Sequence, residues 1–129
     1  MLNRSGITKE TAVAPSQILF NVQNQMSVRV IVDKAVGTAG EDGRKIVKAG
    51  TPLNGDLTTR DTAFVAANNA SNPAVGVLLH DVDVTDGNAI GTLLIWGFVN
   101  LNRMDSTTAG SITTSIKTEL AGRVWFLKD

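Results

Sequence analysis

VGVLLHDVDVTDGNAIGTLLIWGFVNL, residues Val75 to Leu101, is the longest apolar and β-branched stretch of the chain. It divides into two runs around Thr85-Asp86-Gly87-Asn88, and the Asp-Gly pair predicts a β-hairpin there. On the first run Val75, Val77 and Leu79 alternate with Leu78, His80, Val82 and Val84. On the second, Leu93, Ile95, Val99 and Leu101 alternate with Ile90, Leu94, Trp96 and Phe98. Both faces are therefore apolar, as in a closed barrel or a strand pair at a subunit interface. Gly76, Gly91 and Gly97 sit inside the runs, where glycine marks a bulge, a bend or close approach of another backbone.

Outward from this stretch the pattern stays mostly β. Ser27 to Ala35 alternates as a strand, with Val28, Val30 and Val32 on one side. Gly37 to Gly43 is a surface loop, and Arg44 to Ala49 a short strand. Gly50-Thr51-Pro52-Leu53 turns the chain sharply, and Asn54-Gly55 suits a second turn with two positive φ values. A further strand is expected around Thr62 to Val65. Ile112, Ile116 and Leu120 recur at helical spacing, with Ser111 as N-cap and Gly122 as terminator, which predicts one short helix over residues 112–121. Arg123 to Leu127 reads as a closing strand. Residues 1–25, with Pro15 and no clean period, read as an extended arm ahead of a single β-rich domain over residues 26–129; a short helix from Ser16 is the alternative.

Composition narrows the function. The 129 residues carry twelve Lys+Arg against twelve Asp+Glu, no Cys and no Tyr, and 43% are hydrophobic. A chain of this mass buries about two-thirds of its surface, enough for a core without staples. Zero net charge supplies no field for a polyanion, so neither nucleic acid nor an anionic membrane is an expected partner. The absence of Cys excludes disulfides and thiolate chemistry. No apolar run has the length of a membrane span, and MLNRSGITKE contains no apolar block of signal-peptide type. Synthesis and use on the cytoplasmic side are expected.

Chemistry-bearing patterns are weak. His80, Asp81, Asp83 and Asp86 cluster in sequence, but in a strand His80 and the two acids at 81 and 83 point to opposite faces. The calcium-loop template fails too, with Asp86 where Gly is needed and Thr92 where a bidentate Glu is needed. Nucleophile elbow, phosphate loop and dinucleotide fingerprint are missing, and Asn69-Ala70-Ser71 is a chance acceptor match in a polar loop. No catalytic residue, metal or cofactor is expected. Trp96, Phe98, Trp125 and Phe126 could stack on a sugar or base, although their place in the most apolar strands favours core or subunit packing.

One resemblance covers about two-thirds of the chain. It is carried by Ala49-Gly50-Thr51-Pro52-Leu53, then Pro73-Ala74-Val75-Gly76-Val77-Leu78-Leu79-His80-Asp81-Val82-Asp83-Val84, then Leu93-Leu94-Ile95-Trp96-Gly97-Phe98-Val99-Asn100. In order and spacing these resemble the head decoration proteins of tailed bacteriophages, the family of the lambda head protein D. The resemblance implies a small, mostly β fold of barrel or sandwich type, β-tulip-like, with one short C-terminal helix and an N-terminal arm. It implies a non-enzymatic homotrimer on the outside of the phage head, partnered by the major capsid protein and made in the bacterial host cytoplasm. Gly50, Thr51, Pro52, Leu53, Val75, Gly76, Val77, Leu78, Gly97 and Val99 would be its structural motif residues. Ile7, Val13, Ile18, Leu19 and Phe20 of the arm would bind the capsid, and Trp96, Phe98 and Trp125 would form the trimer interface. Two other readings are a carbohydrate- or receptor-binding β module and a hydrolase using His80 with Asp81 or Asp83.

Overall fold

The computed structural model describes residues 18–19, 25–67 and 71–128. The fold is mostly β. The main sheet contains β1 (Met26–Val32), β4 (Pro52–Asn54), β5 (Val65–Ala66), β6 (Gly76–Leu78) and β8 (Ala89–Asn100) in the order β1-β8-β6-β4-β5, all antiparallel. β9 (Val124–Leu127) adds to β8 in parallel. A smaller sheet, ordered β2-β3-β7, contains β2 (Thr38–Ala39), β3 (Lys45–Val47) and β7 (Val82–Asp83). Two short helices, α1 (Ser106–Gly110) and α2 (Thr114–Glu119), lie between β8 and β9. They form the crossover that a parallel pair requires.

The two-sided apolarity of residues 75–101 has an internal cause. Val77 pairs with Leu94, and Leu78 with Leu93. Successive positions of a strand face opposite sides, so the first pair joins one hydrophobic cluster and the second pair joins another. The first cluster also holds Leu79, Val99, Met104, Ile116, Leu120 and Val124, under the helices. The second holds Val30, Val32, Val47, Phe64, Val82 and Val84, under the smaller sheet. The sheet is sandwiched between two cores of the same chain, so barrel closure or a subunit interface is not needed to explain its second apolar face.

A bulge changes the alternation within β8. Met26 pairs with Trp96 while Ser27 pairs with Leu94, so Ile95 is the extra residue. Leu93 and Ile95 pack with the second cluster, whereas Val99 and Leu101 belong to the first. Regular alternation had put all four on one face, and the inserted residue reverses the phase.

The expected hairpin is also rerouted. β6 does lie against β8, but β7 leaves the main sheet to pair with β3, Ile46 opposite Asp83 and Val47 opposite Val82. The chain bends at His80, where the Asp81 carboxylate accepts a hydrogen bond from the Ala49 amide at 2.8 Å. The Asp86-Gly87 turn, with Gly87 at φ +139°, therefore links strands of different sheets.

Three other expectations change in detail. Asn54 ends β4 and Gly55 has no positive φ; its lack of a side chain matters because a Cβ there would stand 2.5 Å from the Phe64 ring. The helix expected over residues 112–121 shortens to α2, and α1 precedes it outside the expected span. Thr113, not Ser111, caps α2 by accepting from the Ile116 amide, while Asp105 caps α1 through the Thr108 amide. Ile116 and Leu120 still bury their side chains.

Ile18 and Leu19 were expected on a capsid-binding arm, and the structure corrects this. They are 0% and 4% exposed and belong to the first core cluster. Leu19 bridges Val99, the Asn100 amide donates to the Ile18 carbonyl at 2.8 Å, and Arg103 Nη1 donates to the Leu19 carbonyl at 3.0 Å. The fold thus includes these two residues ahead of the expected boundary at residue 26. Ile7, Val13 and Phe20 lie outside the described residues.

Candidate interaction surface

The bulge at Ile95 and the parallel docking of β9 build one exposed face. Alternation in β9 sends Val124 and Phe126 to the first core cluster and leaves Trp125 and Leu127 on the opposite side. β9 is in register with β8, Phe98 opposite Trp125 and Asn100 opposite Leu127. Across the other edge Met26 stands opposite Trp96. The smaller sheet pairs through β3 and β7 near the start of β8, and the second core cluster extends along β8 to Ile95. The remaining length of that face is filled by Trp96, Phe98, Trp125, Met26 and Leu127.

The rings form a single cluster. Phe98 and Trp125 stack with centroids 5.0 Å apart and planes at 20°. Trp96 meets both edge-on, at 6.0 Å from Phe98 and 5.9 Å from Trp125. Such contacts contribute about 0.5–1.5 kcal/mol each beyond burial. The cluster is only half covered: Trp96 is 39% exposed, Trp125 36%, Leu127 39% and Met26 59%. Exposed apolar side chains gathered on one face in this way make it the candidate contact surface.

Three of the four aromatic residues singled out from sequence are thus brought together, and Phe126 lies apart from them, packed against the first core cluster. Met26 and Leu127 were missed. The signal for Leu127 was present, because period two from Trp125 puts it on the same face. Met26 could not be assigned without the register of β1 on β8.

The motif segments at 50–53 and 75–78 also meet. Pro52 pairs with Val77 and Leu53 with Gly76. The Gly50 amide donates to the Leu78 carbonyl at 2.6 Å, the Leu78 amide to the Thr51 carbonyl at 2.9 Å, and the Val75 amide to the Leu53 carbonyl at 2.9 Å. Gly50 adopts φ +97° against Met104. A Cβ on Gly76 would approach the Leu94 carbonyl oxygen to 2.5 Å, so this strand sits close to β8 because position 76 has no side chain. Gly97 and Val99 lie in β8 against β9. Val77 and Val99 belong to the first core cluster, Leu53 and Leu78 to the second.

The acids near His80 disperse. Asp81 turns to the Ala49 amide and lies 3.8 Å from Lys48. Asp83 accepts from the Thr85 hydroxyl and amide and from Arg44 at 2.6 Å; these bonds, the Thr85 hydroxyl foremost, hold its pKa down to about 2. His80 Nδ1 is buried without a hydrogen-bond partner. No group of three or more His, Asp or Glu side chains placed to hold a metal ion occurs among the described residues. Nor is any helix among them long and apolar enough to cross a membrane. No protein-family model matches the sequence, and no curated protein matches it.

Proposed function

We propose that this chain is a structural decoration, or cement, protein of a tailed-phage head, which associates as a homotrimer on the outer surface of the expanded shell. The observation that carries the reading is the half-covered cluster of Trp96, Phe98 and Trp125 on a rigid sheet face. The order and spacing of the motif segments support it. In a three-fold assembly the same patch from each copy turns toward the axis, and rings left half-exposed in one chain become covered by their symmetry mates.

The mechanism follows from multivalency. Three linked copies present three capsid-binding segments, so weak individual contacts with the major capsid protein combine through effective concentration, provided the lattice sites match the spacing. A protein that binds only the expanded lattice stabilises that state by its binding free energy and so opposes the pressure of packaged DNA. Ile7, Val13 and Phe20 remain the candidate capsid contacts; Ile18 and Leu19 are excluded by their place in the core.

Mixing the full chain with expanded and unexpanded shells and pelleting them tests this. Retention on expanded shells alone supports the proposal; equal retention on both, or on neither, refutes it. A glycan- or receptor-binding module is the second reading, favoured by the exposure of both tryptophans. The neighbouring strand positions, Met26, Gly97, Val99 and Leu127, offer no carboxylate to a sugar hydroxyl. Quenching of tryptophan fluorescence by a glycan panel would favour that reading instead.

A further inference from the structure

We propose that the groove beside α2 receives the acidic tip of the β2–β3 hairpin from a neighbouring copy of the same chain, an inference that rests on the self-association proposed above. The groove has a volume of about 550 Å³. Leu101, Met104, Ala109 and Ile112 form its apolar lining, and Lys117 and Lys128 supply its charge, with no carboxylate among the described lining residues. Neither lysine has an ion-pair partner among the described residues. The site is therefore a cationic, partly apolar recess without a counter-charge among the described residues that line it.

The opposite charge lies elsewhere on the same chain. Residues Ala39 to Gly43 are exposed and carry Glu41 and Asp42. The tip has a defined shape: the Gly40 amide donates to the Arg44 carbonyl at 2.8 Å, the Gly43 amide to the Gly40 carbonyl at 3.0 Å, and Gly43 adopts φ +79°. Arg44 is the cation nearest in sequence, and its guanidinium is held by Asp83 at 2.6 Å. Glu41 and Asp42 are exposed at this preformed tip, with Arg44 close enough to feel the Asp42 charge, and the fixed shape limits the ordering cost of docking.

Balanced totals of twelve and twelve charges conceal this separation of signs. A tip-to-groove contact joins two different surfaces, so it is heterologous and propagates from copy to copy until a ring closes. It supplies a second contact between neighbours outside the aromatic axis. Complementary charge of this type sets partner register and association rate, and it weakens as salt screens it beyond a Debye length of about 10 Å at 0.1 M.

The test is sedimentation velocity on the full chain at low and high ionic strength. One variant combines Lys117→Glu with Lys128→Glu; the other combines Glu41→Lys with Asp42→Asn, which keeps the oxygen that accepts from the Arg44 amide. Circular dichroism verifies that both fold. Each variant alone is expected to lower the association constant by at least about tenfold at low salt, and an equal mixture of the two to recover part of it, because a three-membered ring of two kinds restores two of its three contacts. Wild-type association in either variant, or a mixture no better than its parts, overturns the tip-to-groove contact while leaving the aromatic interface standing. A wild-type chain that stays monomeric at every concentration refutes both.

Discussion

Phe98 and Trp125 lie opposite each other on parallel strands, their ring planes 20° apart and their centroids separated by 5.0 Å. The pair joins the end of β8 to the strand that returns after the two helices. It is also the floor on which Trp96 stands edge-on. One contact thus serves the packing of the sheet and the shape of its exposed face.

Removing part of that face should separate association from folding. Trp96→Ala deletes two edge contacts from a residue already 39% exposed, so a stability loss of about 1–2 kcal/mol is expected by urea denaturation. Under the proposed trimer, self-association, read by sedimentation, should fall much further, because the same ring would be buried again between copies. Equal association of variant and parent would remove Trp96 from the interface.

Glycine positions allow a graded comparison. Gly76→Ala forces a methyl against the Leu94 carbonyl oxygen and the Leu93 side chain and should cost about 2 kcal/mol or more. Gly43→Ala meets no atom within 4 Å and bears only the strain of φ +79°, on the order of 1 kcal/mol. Chemical denaturation of the two variants should preserve that order.

Ile18 and Leu19 give a truncation test. Ile18→Ala empties a fully buried site and should cost about 2–5 kcal/mol. Deleting residues 1–17 leaves the Leu19 bridge to Val99 and the Asn100 bond to Ile18 in place, so the melting temperature should change little while shell binding weakens. Extending the deletion through Leu19 should lower the melting temperature sharply.

Acid sensitivity is set in part by Asp83. Its pKa in the fold is about 2, below the ordinary carboxylate value of about 3.9 expected in the unfolded chain. Its contribution to stability is therefore complete above pH 4 or so and is lost as the pH falls through about 2. Thr85→Ala removes the hydroxyl that contributes most and should move the Asp83 titration upward, as followed by carboxyl carbon NMR. An unchanged titration would show that Arg44 and the backbone amide of residue 85 suffice.

How far the fold was legible in the sequence depends on which interactions decide each element. β1 and β9 follow from period two, because each strand has one buried side. The path of residues 75–101 did not follow, because the Asp81 bond to Ala49 and the pairing of β7 with β3 are long-range. The Ile95 bulge leaves no local trace, yet it decides which side Val99 faces. Ile18 and Leu19 lie in a polar, aperiodic stretch that resembles an arm, and only their pairing with β8 makes them core. The aromatic cluster was readable as three residue names; its convergence needed the parallel docking of β9.

Attachment of the proposed trimer to an expanded shell can be read by quantitative co-sedimentation. Saturable binding to expanded shells in multiples of three copies per three-fold position is expected, with none on unexpanded ones. Saturable binding to unexpanded shells at the same level, or no binding to either, would contradict it.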